Sequence, residues 1–187
     1  MKFFTAAVGV SLMLPCAAAD LAGGATGSIA IDRAAASGNA EAQRRLAFRY
    51  YHGEGVAQNN AKAVAWFEKA AATGDTESTS NLAKMYEYGM GVAQDDKRAA
   101  EWYRRAAELG EASSQFSLSV MYYQGQGLSQ DRVEAAKWWN IAIGHGGAWA
   151  EKIRATVESA EARLTPAESA EGKRRATEWL KERPAGK

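Results

Sequence analysis

Residues 74–110 read GDTESTSNLAKMYEYGMGVAQDDKRAAEWYRRAAELG, and the chain repeats this layout before and after them. Gly38, Gly74, Gly110 and Gly146 stand 36 residues apart. The positions between keep step: Leu46, Leu82, Leu118; Tyr50, Tyr86, Tyr122; Gly53, Gly89, Gly125; Gly55, Gly91, Gly127; Trp66, Trp102, Trp138. A fixed period of this length marks a solenoid, in which each unit packs mainly on its neighbours. Three units follow, at about 38–73, 74–109 and 110–145. Each reads as a helix A, a glycine-containing loop and a helix B.

In helix A of the first unit, Ala42, Leu46, Ala47 and Tyr50 fall three and four apart and share one face. That face recurs as Ser78, Leu82, Ala83, Tyr86 and as Ser114, Leu118, Ser119, Tyr122. The small residue after each leucine lets a neighbouring helix come close. The first glycine of each Gly-x-Gly ends helix A in a left-handed conformation. Asn59, Asp95 and Asp131 precede helix B, where short polar side chains cap free amides. Helix B carries Ala63, Ala99 and Ala135, then an aromatic pair: Trp66-Phe67, Trp102-Tyr103, Trp138-Trp139. Ala70, Ala106 and Ala142 follow. Repeated in every unit, these rings are expected in the core rather than in a ligand box.

The 187 residues amount to one domain, 47% hydrophobic and 24% charged, as in folded rather than disordered chains. A net charge of +1 argues against a strong binder of nucleic acid or anionic membrane, which draws on excess basic charge. The N-terminus reads as a signal peptide over residues 1–19: Lys2, an uncharged apolar run from Phe3 to Leu14, then Ala17-Ala18-Ala19 before Asp20. Its apolar run is too short for a bilayer. An ordinary N-terminal helix and a lipid anchor on Cys16 are the alternatives, the second disfavoured by Pro15. Cleavage near Ala19-Asp20 would remove the only cysteine, and with it disulfides and thiolate chemistry. Export to the periplasm, or secretion, is the expected location. Residues 20–33, with Gly23, Gly24, Gly27 and Ser28, read as a flexible leader tightening into helix near Ile29.

Over residues 35–146 the pattern Leu-small-x-x-Tyr-x-x-Gly-x-Gly-Val, then Ala-x-x-Trp-aromatic-x-x-Ala-Ala-x-x-Gly, resembles the Sel-one-like repeat, a relative of the tetratricopeptide repeat. The resemblance implies an all-α fold, a right-handed α-solenoid of antiparallel helix pairs. It also implies an adaptor that binds other proteins. Bacterial members are often exported and tied to envelope signalling, polysaccharide production or host contact. The fourth unit departs from the pattern: Arg154 replaces the leucine, Glu158 the tyrosine, and no Gly-x-Gly follows. Residues 148–162 read as a long helix A without its partner. Thr165, Pro166 and Glu168 read as a capped start to a last helix over about 166–182. Residues 147–187 are therefore expected to be capping helices and tail.

A second face of helix A varies between units. It carries Glu41, Arg44, Phe48, Tyr51 and His52; then Glu77, Ser80, Lys84, Glu87 and Tyr88; then Ser113, Phe116, Val120, Tyr123 and Gln124. In the tetratricopeptide relatives the matching positions line the concave groove. Several are apolar for a solvated face, which suggests a contact site. The plainer alternative has them packing on the adjacent helix or scattered singly. On the groove reading, Phe116→Ala or Tyr123→Ala leaves the fold intact and weakens capture of a partner.

No catalytic, cofactor or metal residue is assigned. His52 and His145 lack a His-Glu-x-x-His neighbourhood, and no Gly-x-Ser-x-Gly or phosphate-cradling loop occurs. Lys173-Arg174-Arg175 is a short basic run of the kind found on wet helix faces. The expectation is a non-catalytic adaptor or scaffold of the bacterial cell envelope, binding a protein or peptide, with no nucleic acid and no stable membrane insertion. The alternative is a cell-wall or β-lactam-related hydrolase or its accessory protein, because cysteine-rich relatives of the resembled family are connected with penicillin binding. The processed chain lacks their disulfide pairs and any serine–lysine pair at catalytic spacing.

Overall fold

The computed structural model describes residues 29–144 and 147–183. The signal peptide, Cys16, most of the leader, His145, Gly146 and the last tail residues lie outside them. Helix α1 covers residues 29–36. After it come α2 (Ala40–His52), α3 (Asn60–Ala71), α4 (Thr76–Tyr88), α5 (Asp96–Glu108), α6 (Ala112–Gln124), α7 (Arg132–Gly144), α8 (Gly147–Glu161) and α9 (Pro166–Glu182). No strand occurs among the described residues. The pairs α2/α3, α4/α5 and α6/α7 are helices A and B of three units, stacked as a right-handed α-solenoid.

The connections explain the recurring residues. Gly53, Gly89 and Gly125 end their helices at φ 77°, 66° and 73°, each N–H donating to the carbonyl of Arg49, Met85 or Met121. The Asn59 and Asp95 side chains accept from the amides of Lys62 and Arg98, and Asp131 accepts from those of Val133 and Glu134. The backbone N–H of Asn59, Asp95 and Asp131 returns to the carbonyl of Tyr50, Tyr86 and Tyr122, at 2.8, 3.0 and 3.0 Å. One residue thus caps helix B and closes the loop.

The second glycine answers to the neighbouring unit. A Cβ on Gly91 would stand 2.4 Å from the Asn60 carbonyl carbon, and one on Gly127 2.1 Å from the Asp96 carbonyl oxygen. Each loop therefore lies against the start of the preceding unit's helix B. At Gly55, in the first unit, the nearest atom is the Arg49 Nη2, at 3.6 Å.

The core runs along the stack. Ala47, Leu82, Ala83 and Leu118 are fully buried, as are Phe67 and Tyr103 in helix B. The first ring of each aromatic pair behaves differently. Trp66 and Trp102 are only half-buried, with Lys69 and Arg105 over their rings at 3.9 and 4.5 Å. Trp138 is buried because α9 brings Trp179 to 5.8 Å from it.

Both ends depart from the repeat. Residues 29–33, assigned with the leader in sequence, are helical and belong to α1. Gln43 Nε2 donates to the Ala35 carbonyl at 3.1 Å, and two periods on Gln115 Nε2 donates to the Ala107 carbonyl at 3.0 Å. Helix α1 thus stands where a preceding helix B would stand. At the other end α9 packs along α7, not α8. Gly172 makes this possible: its Cβ would stand 2.3 Å from that of Ala136. The Arg175 guanidinium pairs with Glu134 at 2.8 Å. Helix α8 touches α7 more sparsely and meets α9 at a polar corner, where Glu161 accepts from Ser169 at 2.7 Å and pairs with Lys173 at 2.5 Å.

Candidate partner-binding surface

The variable face of helix A forms two separate surfaces. The first spans units one and two. Arg44 reaches across from α2 to pair with Glu77 and, at 3.7 Å, with Asp75. An open depression of about 420 Å³ is lined by Phe48, Glu77, Ser80, Asn81, Lys84 and Glu111. Phe48 is anchored edge-on to Phe67, ring centroids 5.0 Å apart, and the exposed His52 ring stacks on it at 5.9 Å. Tyr51 meets His52 edge-on at 4.9 Å, and its hydroxyl donates to Met90 Sδ at 3.6 Å. Glu41 stays on the outside, exposed, beside Arg45.

Glu87 and Tyr88 lie toward the end of α4. Glu87 accepts a 2.5 Å hydrogen bond from the Tyr103 hydroxyl. Burial, reinforced by that bond, pushes the Tyr103 phenol far above its ordinary range. Tyr88 is 66% exposed, and the charge of Glu87 followed by partial burial raises its phenol too. At the other edge Glu111 caps α6. Burial opposes its ionisation, yet hydrogen bonds from Ser114 and Ser113 outweigh that and hold the carboxyl below 4.5.

The second surface belongs to the third unit and is covered by α8. Phe116 meets Trp149 edge-on at 6.5 Å, and Tyr123 leans on Trp139 at 6.1 Å. Phe116, Val120, Tyr123 and Trp139 wall a hollow of about 220 Å³ whose far side is Val157 and Ala160. Gln124 stands at its exposed rim. Truncating Phe116 or Tyr123 would therefore disturb the contact between α6 and its neighbours as well as any docking surface.

The contribution of α8 was not among the sequence-derived residues. Its signal was present: Trp149, Ile153, Val157 and Ala160 fall four, four and three apart. Asn81 and Glu111 were also missed, because a depression between units draws on positions outside any single helical face.

Among the described residues no group of three or more His, Cys, Asp or Glu side chains could hold a metal ion. No helix among them is long and apolar enough to cross a membrane. The surface offers rings, paired charges and hydrogen-bonding groups.

The Sel1 repeat family model matches residues 40–75, 76–111 and 112–146, each match opening on the first residue of a helix A. A Sel1 repeat protein from Oxalobacter formigenes is 35% identical, with a TM-score of 0.61, over 66% of this chain and 93% of that one. The protective antigen c5321 of uropathogenic Escherichia coli, which displays an SLR fold, is 28% identical with a TM-score of 0.60. That match covers 81% of this chain and 40% of the antigen. Cysteine rich protein B of Helicobacter pylori shares the fold at 23% identity and a TM-score of 0.52, over 67% of this chain and 96% of that one. No curated protein matches the chain.

Proposed function

This chain belongs to the Sel1 repeat family, and on that premise we propose that it is a non-catalytic adaptor of the bacterial cell envelope. Sel1 repeats are in general protein–protein interaction modules. In this reading the chain is exported through its N-terminal segment, and it holds a partner protein or peptide along the concave side of the solenoid.

One observation carries the reading. Core positions recur from unit to unit, while the facing helix-A positions change: Phe48 gives way to Lys84 and then to Val120. Packing constrains the first set, and the second is free to serve a partner. The open depression between Phe48 and Lys84 is where that freedom meets accessible surface.

Capture from a solubilised envelope fraction tests it, using immobilised protein and its Phe48→Ser/Lys84→Glu double variant, read by mass spectrometry. Specific partners retained by the parent are expected to drop about tenfold or more with the variant, whose circular dichroism stays unchanged. Equal retention by both proteins refutes the groove. Turnover of a chromogenic β-lactam by the purified parent would refute the non-catalytic reading.

A further inference from the structure

The hollow between α6 and α8 is walled by rings on the α6 side and by aliphatic side chains on the α8 side. Phe116, Tyr123 and Trp139 stand on one side, Val157 and Ala160 on the other. At about 220 Å³ it is smaller than the roughly 300–1,000 Å³ usual for small-molecule sites and suits one large apolar side chain. A shallower depression of about 430 Å³ continues from it, sharing Tyr123, Thr156 and Ala160, and ends at Arg163.

Arg163 is exposed at the corner between α8 and α9. Nearby arginines are committed: Arg154 to Glu151, Arg174 to Glu171 and Glu178, Arg175 to Glu134 and Glu171. The Arg163 guanidinium has no ion pair or hydrogen bond among the described residues. No carboxylate lines either depression. The charge at this end of the cleft is therefore uncompensated, and an anionic group complements it. The buried indole N–H of Trp139, in the wall of the hollow, also has no acceptor.

We propose that the cleft receives the free C-terminus of a peptide whose last side chain is apolar. That side chain enters between α6 and α8, and the terminal carboxylate pairs with Arg163. This rests on the adaptor reading and names the chemistry of one partner segment. An internal peptide segment has no main-chain anion to offer Arg163. A chain end places carboxylate and last side chain on the same carbon, which matches a charge standing next to a one-residue hollow.

The test is fluorescence anisotropy with the purified full chain and N-terminally labelled hexapeptides ending in phenylalanine, as the free acid or the amide. The acid is expected to bind about tenfold or more tightly than the amide. Arg163→Ala should remove that difference and leave amide binding unchanged. Thr156→Trp, a substitution at an exposed position inside the cleft, should block both peptides without unfolding the chain. Equal binding of acid and amide overturns the proposal, as does an unaltered preference in Arg163→Ala. A preference for a peptide ending in serine over one ending in phenylalanine also overturns it, as does displacement by a fatty acid without peptide selectivity. Absence of all hexapeptide binding overturns it too, but leaves the adaptor reading standing if the Phe48/Lys84 surface still captures its partner.

Discussion

The glycines show how one letter at one period can carry two different constraints. The second glycines of the loops share a left-handed backbone, with φ of 69° at Gly55, 80° at Gly91 and 69° at Gly127. A side chain there costs about 1–2 kcal/mol from backbone conformation alone. At Gly127 the added Cβ also meets the Asp96 carbonyl oxygen at 2.1 Å, and backbone cannot rotate away as a side chain can. Gly55 has only the end of a flexible arginine beside it. Gly55→Ala should therefore lower unfolding stability by about 1 kcal/mol and Gly127→Ala by about 3 kcal/mol or more, as read from urea midpoints. Equal losses would contradict the seating of each loop on the preceding unit. The recurrence of these glycines was plain in the sequence, but the packing reason was not. The aromatic pairs show the same boundary. Their period marks both rings as shared, yet only contact with neighbours makes Phe67 fully buried and leaves Trp66 half-covered under Lys69.

Helix ends were the most legible elements. Asn59, Asp95, Thr165 and Glu168 all cap as their positions indicated, the last two as a reciprocal box. The start of α6 is the exception, since the longer Glu111 takes the place held by Asn39 at α2 and Asp75 at α4. Its carboxylate accepts from the amides of Ser113 and Ser114 at 3.2 and 2.6 Å and lies 3.4 Å from the Ser80 hydroxyl of the preceding unit. Because the folded carboxyl titrates below 4.5, its contribution is whole above that pH and fades as pH falls through the lower folded value. Glu111→Gln should therefore reduce Tm at pH 7, and the gap to the parent should close as the pH drops below 4.5. A gap that persists unchanged at pH 3 would mean that ionisation of Glu111 is not its source. What the sequence concealed at this scale was the partner of α9. Its apolar content is low, and the decisive residue, Gly172, reads as a weak point in a helix until Ala136 is found against it.

At the scale of the molecule, stability in a stack of this kind is close to a sum of unit and interface contributions. The three-unit architecture was readable because every interior unit meets the same neighbours and so keeps the same core residues. The candidate surface was readable only in part, since it forms where units join and where the non-repeating α8 folds over the third. The central helices α4 and α5 are flanked on both sides by other units. Helix α9 holds α7 through Trp179 and the close approach at Gly172. Among its described residues helix α8 buries only Ala150, Ile153 and Val157, and it spans a hollow of about 220 Å³ that side chains leave unfilled. Rings lining such a gap forgo part of their dispersion contacts, so this interface is weaker than the one between α7 and α9. Local opening follows the weaker interface rather than chain order. Hydrogen exchange followed by mass spectrometry should show α8 amides exchanging first, before those of α9, although α9 lies nearer the C-terminus. A free-acid peptide seated between α6 and α8 would slow exchange in α8 and leave α4 and α5 unaffected. Protection in the peptide-free protein that falls steadily from α7 through α8 to α9 would instead indicate fraying from the chain end, with no special looseness at the cleft.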